Sequence, residues 1–281
     1  INSWMRALLF GDDSFITDET VELFQRWNLS HLLAISGLHV GLIVSFIYLC
    51  LVKLGITTKE KAQWIIIICL LIYPLLAGGA PSVWRACLMT MIAMLFLKIK
   101  RKVSITDVLS VVFVLYIIVD QSVIYQLGFQ FSFLVTFALL LSNKIFTETA
   151  SKSMLLMRIS YVSQMILLPL QINHFYFFNP LSFVVNLALV PYFTVIFLPM
   201  LLIFLIASLL LPQIVPFLDI VFIHFHQMIM TCLEEVDQRF FYPWVLGEFP
   251  NNMMIVYFVV FSLIMMHMGY QKYRKAFHYG C

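Results

Sequence analysis

The sequence predicts an all-α, polytopic transmembrane helical bundle, about nine spans with some short or broken helices. Three observations carry that prediction. The 281 residues are 62% hydrophobic and only 11% charged, whereas soluble domains carry about 25% charged residues; the mean hydropathy is +0.98. Apolar runs recur along the whole chain, several near the roughly 20 residues that a helix needs to cross a bilayer. Basic residues concentrate in alternate loops, as they do in multi-pass proteins.

Residues 1–30 are mixed in character and are expected to form an external amphipathic segment lying on the membrane, ahead of a transmembrane domain over 31–281. Gly11-Asp12-Asp13-Ser14 reads as a turn. Thr17 or Asp18 can cap a short helix whose first turn holds Asp18 and Glu19, favourable near a helix N-terminus. Val21, Leu23, Phe24 and Trp27 give it an apolar face.

The first apolar run, Leu32 to Val52, reads as one spanning helix. Its start, His31-Leu-Leu-Ala-Ile-Ser36-Gly37-Leu-His39-Val-Gly41, crowds polar and small residues into the first turns. Ser36 and His39 are i,i+3 neighbours. Gly37 and Gly41 form the G-x-x-x-G pattern that lets a second helix backbone come close. Ser36 can also simply bond a carbonyl one turn back. Ionisable groups inside a span are costly and face a cavity or a partner, so the cluster is a candidate functional site.

Further runs follow at 62–78, 82–97, 104–119, 127–142, 154–172, 181–211, 214–232 and 252–270. The run 181–211 is long for one helix and holds Pro191 and Pro199. It reads as one kinked span or as two segments. Gly78-Gly79-Ala80-Pro81-Ser82 breaks a helix pair and sets Arg85 one turn inside the next span. Arg85 either snorkels to headgroups or presents a fixed positive charge to an aqueous path. Gln130 in Gly128-Phe-Gln-Phe-Ser132 can hydrogen-bond across helices. Asn179-Pro180, Asn186, Pro191 and Pro199 suggest irregular backbone, tolerated at mid-membrane only where protein or water covers it.

With Lys98-Ile-Lys100-Arg101-Lys102 placed in the cytoplasm, the loops 53–61, 98–103, 143–158 and the C-terminal tail fall inside. All but four of the 17 basic residues lie on that side, and all but four of the 14 acids lie outside or elsewhere in external loops. The C-terminus is therefore expected in the cytoplasm. Cysteines 50, 69, 87, 232 and 281 are odd in number and scattered, which reads as small buried hydrophobes, not a disulfide framework. His224-Phe-His226 is not a metal pair, because residues two apart on a helix point to different faces. No Asp-His follows it. No cofactor or metal is expected, and no Walker motif is present. The chain begins with Ile and looks excised from something longer.

The string HLLAISGLHVGLI at 31–43 resembles the signature that opens the membrane region of the ComEC family, bacterial competence DNA-uptake channels. The Gly78–Ala86 stretch, the Gly-Phe-Gln-x-Ser-Phe box at 128–133 and the Asn–Pro pattern at 179–191 are similar to the family's as well. The resemblance implies a channel segment, not an enzyme, that conducts single-stranded DNA across the bacterial cytoplasmic membrane in natural transformation. Ser36, His39, Arg85, Gln130 and Asn186 would line it, and Gly37 and Gly41 would pack helices. Implied partners are a surface DNA receptor and a cytoplasmic ATP-driven translocase, besides membrane lipid and a second copy of the chain. The family's OB-like and metallo-β-lactamase-like domains have no counterpart here. Physics alone does not select DNA, since the outer face is net acidic. A secondary transporter and an intramembrane serine hydrolase using Ser36 remain the alternatives.

Overall fold

The computed structural model describes residues 2–99, 103–146, 151–248 and 250–278. Lys100, Arg101, Lys102 and Cys281 lie outside them. In chain order the helices are α1 (Asn2–Phe10), α2 (Asp18–Arg26), α3 (Ser30–Leu33), α4 (Gly37–Tyr48), α5 (Lys59–Leu76), α6 (Pro81–Lys98) and α7 (Ile105–Val119). Then come α8 (Leu127–Phe146), α9 (Lys152–Phe175), α10 (Ser182–Pro191), α11 (Leu198–Leu210), α12 (Val215–Phe240) and α13 (Asn251–His278). Among the described residues, five stretches are long and apolar enough to cross a membrane: Ser30–Lys53, Pro81–Lys98, Ser153–Phe175, Ser182–Leu210 and Val215–Phe240. Ile105–Val119, Leu127–Asn143 and Asn252–Met268 are shorter apolar helices.

The fold divides into two compact units. The first comprises residues 1–103 and 188–241. Its interior is built where α4, α5 and α6 meet, around Ile35, Val40, Ile66, Leu70, Val83 and Cys87. Helix α5 shows how sequence makes this geometry. Ala62, Ile66 and Leu70 recur at i+4 and are buried, while Ile65, Ile68, Ile72 and Leu75 recur on the other side and are exposed. Such a wide aliphatic surface suits hydrocarbon rather than water. Thr17 caps α2, its hydroxyl accepting from the Thr20 amide at 3.4 Å. Residues 2–29 contribute Leu8, Phe24, Trp27 and Leu29 to the interior of this unit. Helix α1 is not evident in the sequence, where these residues read as mixed. Gly11 ends it with φ +74°, and a Cβ there would sit 2.5 Å from the Ala77 carbonyl oxygen, so only glycine fits.

Asp237 on α12 holds the end of α2. Its carboxylate accepts from Arg26 Nη1 and Trp27 Nε1, both at 2.9 Å. Ser182–Leu210 is helical throughout, not two segments: α10 and α11 are joined by widened π-type turns over Tyr192–Phe197. Pro191 and Pro199 each lack an amide donor, and the widened turns lie between these two gaps in the ladder.

The second unit comprises residues 104–187 and 242–281. Helices α8, α9 and α13 pack around Ala138, Val162, Ile166, Phe261 and Met265. Tyr257 donates to the Met165 carbonyl at 2.8 Å, tying α13 to α9. Phe129 and Phe133, with ring centroids 4.4 Å apart, meet Phe113 and Tyr116 of α7. A two-residue antiparallel ladder pairs β1 (Phe177–Phe178) with β2 (Trp244–Val245), an element the sequence does not announce.

Candidate functional site

The expected single helix from Leu32 to Val52 is broken at its start. Helix α3 ends at Leu33, Ala34 is extended, and Ser36 is the extended N-cap of α4. His39 is therefore the third residue of α4, and its ring folds back over the cap. Nδ1 accepts the Ser36 amide at 3.0 Å and lies 2.8 Å from Ser36 Oγ. The amide can only donate, so Nδ1 carries no proton and the neutral ring holds its proton on Nε2. Ser36 Oγ then donates to the same Nδ1. His39 is buried, and its Nε2 has no hydrogen-bond partner among the described residues.

Helix α6 supplies the other wall. Gly78 and Gly79 sit at φ +73° and +71°, the left-handed region that favours glycine, and reverse the chain after α5. Pro81 then starts α6, where its missing amide costs nothing. Ser82 donates to the Ile35 carbonyl at 2.7 Å, satisfying a group that the break leaves outside any helix. One turn on, Arg85 is buried, at 9% exposure. Its guanidinium lies against α4: a Cβ on Gly37 would come within 3.3 Å of Arg85 Nη2 and 3.6 Å of Ala86 Cβ. Gly37 is thus a close-approach position, whereas a Cβ on Gly41 would meet nothing within 4 Å. The assembled group is Ser36, Gly37, His39, Ser82 and Arg85. It can offer a permanent cation, which guanidinium keeps at any ordinary pH, beside a neutral imidazole and a hydroxyl.

Gln130 and Asn186 belong to the second unit. Gln130 does not reach across helices through its amide nitrogen, which donates to the Ile124 carbonyl at 2.8 Å, just upstream in its own chain. Asn186 is buried, and its Nδ2 donates one turn back to the Ser182 carbonyl at 2.8 Å. Of the polar group around it, Gln164 and Ser182 are not singled out by the sequence. Gln164 also donates to that carbonyl, at 3.5 Å, and Asn179, Ser182 and Gln171 are all buried. The missed signal is spacing: Gln164 and Gln171 lie seven apart on α9, on one face. In the first unit, His224 is exposed and approaches the Ile220 carbonyl at 2.7 Å, while His226 is buried against the Tyr192 hydroxyl at 3.0 Å. The two rings have separate surroundings, and no metal-holding group of three or more ligands occurs among the described residues.

Helices able to cross a bilayer, with a buried arginine and histidine where two of them meet, define a multi-pass membrane protein. The chain belongs to the Competence protein family, which matches residues 8–270. It is similar to ComE operon protein 3 of Bacillus subtilis, at 34% identity over 195 residues, 69% of this chain and 25% of that protein. An uncharacterized protein of Mycoplasma genitalium is 32% identical over 136 residues, 47% of this chain and 35% of that protein. The chain therefore matches a quarter to about a third of the length of these relatives. No solved structure matches it.

Proposed function

We propose that this chain is the membrane conduit for single-stranded DNA in natural transformation, set in the bacterial cytoplasmic membrane. Family membership and the likeness to ComE operon protein 3 support a role in competence DNA uptake. The observation that carries the conduit reading is Arg85: a guanidinium buried at the start of α6, pressed against Gly37 at the start of α4. A cation in the membrane is costly unless it serves a path or a partner. A DNA strand is a polyanion, and one buried arginine can hold a passing phosphate without trapping it, since conduction needs weak binding at several sites. Ser36 and His39 supply neutral polar contacts at the same level. Gln130 and Asn186, within the second unit, are candidate lining residues as well. Gly37 admits the arginine, and Gly41 leaves an open face for lipid or a second copy of the chain.

In this reading the helices make nine crossings, residues 1–30 are external, and the loop around Arg101 and the C-terminus are cytoplasmic. Conduction needs no chemistry from this chain and no cofactor. A surface receptor would deliver DNA, and an ATP-driven translocase would pull it from the cytoplasm.

One observation favours a second reading, an intramembrane serine hydrolase: Ser36 Oγ stands 2.8 Å from His39 Nδ1. The same nitrogen also accepts the Ser36 amide, and among the described residues no carboxylate hydrogen-bonds Nε2. A triad places its base between nucleophile and orienting acid. This pair lacks the acid.

The test is uptake of labelled DNA by cells carrying variants of the full-length protein. Arg85→Lys keeps the charge but loses the planar fork, so it should retain part of the uptake. Arg85→Gln should lose about tenfold or more at normal membrane insertion. Uptake equal to the parent in Arg85→Gln would refute the role.

A further inference from the structure

The first unit contains a crevice of about 240 Å³ that the Ser36–Arg85 group does not use. Its walls include Trp4 of α1, Phe15 and Thr17 before α2, Thr20 of α2, and Phe222 and His226 of α12. We propose that this crevice holds one nucleobase of a DNA strand during uptake, an inference that rests on the conduit reading.

Size limits the occupant first. Pockets for drug-sized ligands run to about 300–1,000 Å³. This one is smaller and suits a single flat ring system, not a run of bases or a lipid tail.

The walls fit such a ring. Trp4, Phe15 and Phe222 offer aromatic faces, and base–aromatic stacking tolerates any base because every base has a π-face. Trp4 is held firmly, with Phe24, Phe193 and Phe197 ring centroids at 6.2, 6.0 and 5.4 Å. His226 forms the deep end. Its ring lies edge-on to Trp4 at 4.7 Å, its Nδ1 meets the Tyr192 hydroxyl, and the residue is only 6% exposed. Its Nε2 is buried and has no hydrogen-bond partner among the described residues. A buried polar atom without a partner is uncommon, and a ligand on that side would supply one.

The polar groups fit a neutral ring with mixed edges. The Thr17 and Thr20 hydroxyls stand 2.9 Å apart, and the Ser3 hydroxyl and Gln227 amide complete the lining. Each can donate and accept, as base edges require. Among the described residues no Lys, Arg, Asp or Glu side chain lines the crevice, so these walls do not select a phosphate or a carboxylate. An acyl chain would strand these hydroxyls without partners. The strand's charge has its own place outside. Arg6 lies 4.5 Å over the Phe15 ring, beside the crevice, where it can meet the adjoining phosphate. Asp18 and Glu19 in the first turn of α2 repel phosphate from the threonine side.

The test uses the full-length protein in lipid nanodiscs. Two fluorescent probes of about 12 nucleotides are compared at fixed salt: oligo-dT, and a strand of equal length and charge in which every base is replaced by an abasic spacer. The parent should bind oligo-dT about fivefold or more tighter than the abasic strand. Phe15→Ala and Gln227→Ala change exposed side chains and should keep the fold. Each should shrink that preference, Phe15→Ala the more, and Gln227→Ala, which does not touch Arg6 in this scheme, should leave the abasic affinity unchanged. Equal affinity of the parent for both probes would overturn the crevice proposal and leave the conduit reading standing. No affinity for either probe would overturn both. An undiminished base preference in Phe15→Ala, with loss of a co-purifying phospholipid seen by native mass spectrometry, would overturn the proposal in favour of a lipid site.

Discussion

Ser36 and His39 meet because the chain leaves the helix just before Gly37. On a continuous helix the two would be neighbours one turn apart at a poor angle for proton transfer. As N-cap and third helical residue they come to 2.8 Å. The pair is best understood as a cap: a ring nitrogen takes the place that a Glu or Gln oxygen holds in the usual capping box. That reading makes a chemical prediction. A fluorophosphonate probe should label the purified full-length protein no more strongly than its Ser36→Ala variant, because a hydroxyl without an acid-oriented base is a weak nucleophile. Strong labelling that vanishes in Ser36→Ala would establish an enzyme and displace the conduit. Gly37 is the companion residue. Its missing side chain is what lets the Arg85 guanidinium lie against the start of α4.

Among the elements, the junction of α2 with α12 rests on one carboxylate. Asp237 accepts from Arg26 and Trp27 together, and its side chain is only 12% exposed. Asp237→Ala would remove the acceptor that the buried Trp27 indole and the Arg26 guanidinium share, at a cost of about 2–3 kcal/mol, the range for losing charge-assisted bonds. Arg26 also pairs with Glu22, but Glu22 is largely exposed and the pair is open to solvent, so Glu22→Ala should cost about 0.5 kcal/mol or less. Denaturant unfolding in detergent micelles reads both. Equal effects of the two substitutions would contradict the latch. The elements differ in how well the sequence announces them. The apolar runs locate the long helices because a lipid-facing span must stay apolar for most of its length. The break over 34–36 is silent because Ala-Ile-Ser contains no glycine or proline. It depends on the hydroxyl of Ser82, distant in sequence, taking the Ile35 carbonyl. The β1–β2 ladder is silent for the same reason, since its two partners are set by tertiary structure alone. That Arg85 lies level with the start of α4 could be read from turn counting, since both positions open their spans from the same side.

For the whole molecule, composition settles the solvent and leaves the cargo open. Exposed aliphatic faces such as that of α5 call for lipid, and the family places the chain among competence proteins. DNA enters through that relationship and through one buried cation. The expected spans hold few cations and the proposed outer face is acidic, so a DNA conduit here requires a path with a single strong phosphate contact and otherwise neutral walls. The most direct measurement is contact with DNA in transit. In the full-length protein without native cysteines, Ser36→Cys and Ile68→Cys would each be tested during uptake against a strand bearing a thiol-reactive tether and a bulky end that stalls it. Ile68 is 58% exposed on the aliphatic face of α5 and serves as the lipid-facing control. The account predicts a protein–DNA adduct at Ser36→Cys and none at Ile68→Cys. Normal uptake with no adduct at Ser36→Cys, or adducts in equal yield at both positions, would contradict it.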